Sequence, residues 1–335
     1  MTFPSIGDLA QTFVSRRQNA ALKARMSQLT QELASGRSAD LVRHLDGKLS
    51  WLGDIEHQSV VQTGYRSAAR EAAITAGAMQ TALGQVHQQA TDLGANAVIA
   101  GSSTGPITRA SAAAQAHGAL DAMVSALNIS VAGRPVFSGT DLATAPLLPA
   151  GDILDAARTA VAAAISPADI EAALEGFFGP GGGFEASIYQ GGTQDVAPFH
   201  LGNGATVQLA IRADNPAMRT VMRNTVMAVL ADDPLLGLDE TARDALMRKA
   251  GEGLLTQSDA LTGIQADLGF AESRIAQAES RIASELSALD IARNTLVAVD
   301  PFDTAAELEE VQFQLETLYT VTARSSRLNL ASFLS

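Results

Sequence analysis

Between residues 254 and 299 a large aliphatic side chain returns at every seventh position: Leu254, Leu261, Leu268, Ile275, Ile282, Leu289 and Leu296. Three residues after each comes Gln257, Ile264, Ala271, Ala278, Glu285, Ala292 or Val299, mostly small or apolar. Such a repeat is the seam of a helix that packs lengthwise against another helix. One continuous helix over that span would run about 70 Å, several times the mean for globular proteins. A chain carrying it must supply a partner of comparable length or leave the seam in water.

The first half of the chain supplies that partner. Tyr65, Ala72, Met79, Val86 and Leu93 repeat at seven, interleaved with Ala69, Ala76, Leu83, Ala90 and Ala97. Alanine facing leucine and isoleucine lets two long helices approach closely, so the two segments are expected to pack together as a rod. Composition agrees: apolar residues make up 47% of the chain, aromatic ones only 4%, a balance suited to close-packed helices. A third helix is expected over 108–128.

Shorter patterns mark the two ends. Leu22, Met26, Leu29 and Leu33 form a stripe that stops at Gly36. Pro301 breaks the long ladder, and Thr304 with Glu307 has the spacing of a capping box for a new helix. That helix carries Leu308, Val311, Leu315 and Leu318, followed by Leu328, Leu330, Phe333 and Leu334 close to the end. Its seam is interrupted by Thr322 and Ser325, so we expect these terminal helices to bury their faces against neighbouring copies rather than alone. Between the arms, residues 133–151 are rich in glycine and proline, helices are expected near 152–164 and 167–178, and Phe184–Tyr189 and Ala205–Ile211 alternate like strands.

The expected fold is therefore mainly α. Long antiparallel coiled-coil helices from both chain ends would carry a small mixed α/β, strand-containing central domain at the tip. Residues 1–45 with 301–335 form the terminal assembly region, 46–140 with 213–300 the rod, and 141–212 the central insert.

No catalytic or ligand-binding site is expected. GPGGGF at 179–184 lacks the Lys-Ser/Thr of a phosphate-cradling loop. His44, His57, His87, His117 and His200 are scattered without metal-ligand spacing, and there is no cysteine. Asp232-Asp233 before Pro234 reads as a turn rather than an acid/base pair. No G-x-S-x-G nucleophile elbow occurs. Neither enzyme activity, cofactor nor metal is expected. A net charge of −13 argues against nucleic acid, and no run of about 18 apolar residues offers a membrane span. The opening MTFPSIGDLAQTFVSRRQ shows no cleavable Sec signal, so the chain is expected to stay inside the cell or leave by another route.

Three stretches give this layout a likeness. QELASGR, Gln31 to Arg37, resembles the L-x-S-G turn that closes the first terminal helix of the flagellin superfamily. GRPVFSGTD, Gly133 to Asp141, is similar to that family's turn after the outgoing arm, and LEEVQFQLETLYTVTARSSRLNLASFL, Leu308 to Leu334, to its C-terminal helix. The likeness covers both arms and is silent on the insert. Its opening stretch is closer to the hook-associated branch than to filament flagellins. The resemblance implies a structural part of the bacterial flagellum at the junction of hook and filament. It further implies export through the flagellar type III channel without a cleaved signal, and extracellular assembly as a homo-oligomeric ring. The implied partners are another hook-associated protein, flagellin and a cytoplasmic export chaperone. Filament flagellin and a secreted coiled-coil adaptor of another type III system are the alternatives.

Overall fold

The structure, a computed structural model, describes the backbone of residues 6–103 and 105–334 and the side chains of 10, 12–103 and 105–324. Helix α1 (Ile6–Ser35) leads through the single turn α2 (Leu41–His44) to α3 (Leu49–Ser102) and α4 (Pro106–Leu127). A hairpin of β1 (Ser130–Val131) and β2 (Arg134–Pro135) follows, then α5 (Ala150–Val161) and α6 (Pro167–Phe178). A π-helical turn (Phe184–Ile188) precedes the second hairpin, β3 (Phe199–His200) with β4 (Thr206–Val207). The return path is α7 (Pro216–Leu230), a 3₁₀ turn (Pro234–Leu236), α8 (Glu240–Thr256), α9 (Ser258–Val297) and α10 (Pro301–Leu334). Both hairpins are antiparallel, pairing Ser130 with Pro135 and Phe199 with Val207. The fold is mainly α with a small strand-containing region, as the periodicity implies.

Helix starts follow a common local rule. Ser166, Asn215 and Asp239 each turn a side-chain oxygen onto a free backbone N–H of the helix they open. Pro106, Pro167 and Pro216 occupy first helical positions, where no N–H is needed.

The chain forms two compact units, one of Met1–Thr63 with Ser284–Ser335 and one of Gly64–Ala283. In the second unit the long helices pack together, with His87 of α3 bonded to Gln265 at 3.2 Å and to Ser258 at 3.1 Å. Met79, Leu83, Val86, Leu93, Leu254, Leu261, Leu268, Ile275 and Ile282 are all buried, as are Ala69, Ala76, Ala90 and Ala97. Tyr65 is half-buried, its ring against the backbone of Gly202 in the second hairpin. Arg274 and Arg281 of α9 donate to Thr206 O and Leu201 O of that hairpin at 2.7 and 2.6 Å.

The expected single helix over 254–299 is two, because α8 ends at Thr256 and α9 starts at Ser258. Gln257 donates its backbone N–H to Leu254 O at 3.1 Å and accepts from Leu261 N at 3.0 Å. The interruption is thus one tightened turn, and Leu254 and Leu261 on either side stay buried. The other difference lies at 184–189, where a π-helical turn replaces the expected strand. Phe184 and Ile188 are both fully buried four residues apart, which a helical turn satisfies, and Tyr189 N closes onto Phe184 O at 2.9 Å. In the stretch expected as a second strand, only Thr206 and Val207 join a ladder.

Two glycines let helices touch. A Cβ on Gly251 of α8 would lie 2.7 Å from both Gly94 O and Val98 N of α3, and one on Gly101 would lie 2.4 Å from Arg248 N. Nearby, Arg109 of α4 is 2% exposed and reaches Asp232 at 3.0 Å, Glu240 at 2.6 Å and Asp244 at 2.6 Å. Burial alone would lower its pKa, but hydrogen bonds to Glu240, Asp244 and Asp232 outweigh that and hold it above the ordinary arginine value. Asp233, read from sequence as a turn residue, does cap the 3₁₀ turn through Leu235 N and also binds Arg158 at 2.8 Å. The adjacent carboxylates are thus structural, and their partners lie far away in sequence.

Two predictions test this packing. Gly251→Leu should cost about 1–3 kcal/mol by overpacking and lower Tm by several degrees; a melting curve unchanged from wild type would contradict the close approach. The Tyr189 phenol is pushed up to about 12, chiefly by burial and then by Asp214, whereas its ordinary value is 10.0. Between those values the folded state holds the proton that the unfolded chain has lost, so stability falls as pH rises. In paired denaturant titrations, Tyr189→Phe should remove about 1 kcal/mol of the loss between about pH 8 and about pH 11; equal losses in both chains would refute it.

Candidate assembly surface

The first unit brings the two chain ends together. Helix α1 ends at Ser35, and Gly36 follows with φ +69, a left-handed conformation that L side chains rarely adopt. Gly36 N donates to Glu32 O at 2.8 Å, and the Glu32 carboxylate accepts from Ala39 N at 2.9 Å and from Gln28 at 3.0 Å. The turned segment then pairs with the α9–α10 link: Val299 N donates to Gly36 O at 3.2 Å and Ser38 N to Val297 O at 3.0 Å. Beneath it, Leu45, Leu52 and Val297 form a small core, with Leu296 packed against it. Leu289 is half-buried.

Helix α10 begins three residues before the expected capping box. Asp300 Oδ1 accepts from Phe302 N at 2.8 Å and Asp303 N at 3.4 Å, so Asp300 is the cap. Pro301 explains this, since a proline with no N–H fits the first helical position better than the residue before a later start. Thr304 therefore lies inside the helix, its hydroxyl on Asp300 O at 2.7 Å. Glu307 is left free to pair with Arg25 of α1, at 2.9 Å from Nε and 2.5 Å from Nη2.

Helices α1 and α10 pack on one another. Leu29, Val311 and Leu315 are buried, whereas Leu22, Met26, Leu308 and Leu318 are half-buried. Leu33, the fourth member of the sequence stripe, is 40% exposed. The side chains of Leu328, Leu330, Phe333 and Leu334 lie outside the described residues. Toward the far end of the pair, Lys23 Nζ sits 5.9 Å from the centre of the Tyr319 ring. Hydrogen bonds with Asn19 and Lys23 hold that phenol below its ordinary pKa.

The paired helices leave apolar surface in water. Phe13, Phe302, Phe313 and Val321 are all more than half exposed. Ala21, Leu22, Phe313, Leu318 and Val321 border a trough of about 540 Å³ along one side of the pair. Arg16, Asn19, Lys23 and Tyr319 border a second hollow of about 610 Å³. Among the described residues no group of three or more His, Cys, Asp or Glu could hold a metal ion, and no helix is long and apolar enough to cross a membrane.

Glu32 and the Arg25–Glu307 pair escaped the sequence reading. A buried glutamate on an apolar stripe breaks the hydrophobic pattern, and that break is the only local signal for Glu32. Nothing local links Arg25 to a residue 282 positions away.

Residues 253–334 match the family model for the bacterial flagellin C-terminal helical region. Among solved structures, a protein assigned as a flagellar hook-associated protein from Vibrio parahaemolyticus matches with a TM-score of 0.50 at 13% identity, over 73% of this chain and 95% of that one. FlgL of Bacillus cereus matches with a TM-score of 0.51 at 15% identity, over 72% and 99%. Residues 253–334 thus resemble the C-terminal helical region of bacterial flagellins, and the fold resembles that of hook-associated proteins. At these identities the structural likeness is one of fold. Comparison with curated protein sequences returns no match. The flagellin-like region contains α9, the capped joint at Asp300 and α10, so the family match falls on the helix that pairs with α1.

Leu29 and Leu33 are equivalent in periodicity and differ in burial, which gives a direct test. Leu29→Ala should destabilise the terminal unit by about 2–5 kcal/mol, and Leu33→Ala by about 0.5 kcal/mol or less. Thermal melts followed by helical circular dichroism would read both; equal losses would show that α1 packs on a different face.

Proposed function

We propose that this chain is the junction subunit of a bacterial flagellum, linking the hook, through another hook-associated protein, to the flagellin filament. The flagellin C-terminal match and the hook-associated-protein-like fold support the coarser statement, a structural and non-enzymatic part of the flagellum outside the cell. The observation that carries the finer reading is the α1–α10 pair. Helices from opposite ends of the chain meet through Leu29, Val311 and Leu315, while Phe13, Phe302, Phe313 and Val321 remain in water.

Burying such a face between subunits requires neighbours that present matching helices, which is how an extended assembly grows from identical parts. On this reading the chain forms a homo-oligomeric ring, with Leu22, Met26, Leu29, Leu33, Leu308, Val311, Leu315, Leu318, Leu328, Leu330, Phe333 and Leu334 as the assembly helices' seam. Its neighbours are flagellin and a second hook-associated protein. Before assembly, a cytoplasmic chaperone shields the C-terminal helix, and export runs through the flagellar type III channel.

The test is localisation. Antibody or tag labelling of isolated hook–filament structures should mark the boundary between hook and filament. Deleting Arg324 to Ser335 should leave a folded chain that fails to hold the filament, so cells shed flagellin into the medium. Normal filaments on such cells, or motility unaffected by loss of the gene, would refute the role. Long polymers formed by the purified chain alone would identify a filament subunit instead.

A further inference from the structure

Two surfaces of this chain are incomplete in complementary ways. The first is a groove of about 550 Å³ in the 64–283 unit, between α3 and the two hairpin regions. Its floor is apolar, with Met79, Val136 and Leu209 buried there, and its lip carries Ile74 at 60% and Leu142 at 38% exposure. Arg134 closes part of one wall by pairing with Glu71 at 3.0 Å. Arg70 lines the same groove one helical turn before Ile74, and Arg66 lies a further turn back. Neither arginine has a carboxylate partner among the described residues.

The second surface is the back of α10. At 100° per residue, Phe302, Glu309, Phe313 and Glu316 fall within one narrow stripe, opposite the seam of Leu308, Val311, Leu315 and Leu318. Phe302 is 86% exposed and Phe313 70%. Glu309 and Glu316 are exposed and have no cationic partner among the described residues. Two aromatic knobs flanked by unpaired carboxylates thus face water on one surface. An apolar groove flanked by unpaired guanidinium groups faces water on the other.

We infer that the α10 stripe of one copy docks into the α3–hairpin groove of a neighbouring copy, with Phe313 seated by Ile74 and Glu309 and Glu316 against Arg66 and Arg70. A groove meeting a second groove would set those arginines against each other, so a two-fold contact through this surface is disfavoured. A nucleic acid or an anionic lipid surface would suit the arginines, but the chain's net charge of −13 repels both. Because the two copies contribute different patches, the contact is head-to-tail, and it repeats around a ring or along a helix rather than closing at two. The apolar seat supplies most of the attraction, whereas the exposed ion pairs set register. This inference rests on the assembly role proposed above.

The chain has no cysteine, so introduced thiols report without background. In flagella isolated from cells making the Ile74→Cys, Phe313→Cys double variant, mild oxidation should yield a ladder of disulfide-linked multimers. Neither single variant should yield one. Incorporation of the double variant without cross-linking would overturn the contact, as would dimers formed by Ile74→Cys alone. If the cysteine variant does not incorporate, charge reversal decides. Arg70→Glu should lower incorporation about fivefold, the equivalent of roughly 1 kcal/mol, and Glu309→Arg with Glu316→Arg in the same chain should restore it. Loss without rescue, or no loss, would overturn the proposal. Wild-type chain present on flagella without these couplings sinks this contact alone, whereas its absence from flagella sinks the junction role as well.

Discussion

Where α3 meets α8 there is no room for a side chain, since a single carbon on Gly251 would collide with the backbone at Gly94 and Val98, and one on Gly101 with Arg248. That closeness governs the whole 64–283 unit. Alanines such as Ala69, Ala76, Ala90 and Ala97 fill the α3 seam, and each buries little apolar area, so stability must come from length and from the larger partners. The aliphatic ladder from Leu254 to Ile282 supplies them. Close packing also denies water to the centre, which makes any charge there expensive unless matched. Arg109 is matched three times over, by Asp232, Glu240 and Asp244.

The terminal unit is built on a different principle. Its helix pair has a short buried seam and a broad exposed surface, held in register by polar devices at the turn. Glu32 ties the end of α1 to Ala39, Asp300 starts α10, and Glu307 reaches back to Arg25. These contacts set where the two helices meet without hiding their apolar flanks. On the assembly reading proposed above, such internal pairing would present the helices while leaving their apolar flanks for neighbours to cover.

The legibility of this chain in its sequence follows from the range of each interaction. The seven-residue ladder, the Pro301 joint, the Gly36 stop and the Leu/Val stripe of α10 are local patterns with a fixed geometric meaning, and they were readable. The π-helical turn at Phe184 was not, because F-E-A-S-I fits alternation and a tight helical turn equally well. Packing of Phe184 against Phe178, with Ile188 also buried, decided between them. Likewise, Thr304 and Glu307 had capping-box spacing, but the proline three residues earlier had the stronger claim on the helix start.

Sequence by itself determined the long-helix architecture and the small strand-containing region. Each follows from the period of apolar residues and from the fixed φ or missing N–H of glycine and proline. Only the tertiary structure decided which members of a stripe are buried, leaving Leu29 hidden and Leu33 in water. Only it joined Arg25 to Glu307 and Arg109 to its three carboxylates. Those pairings depend on which backbones come within a few ångströms of each other, a distance that no local pattern encodes.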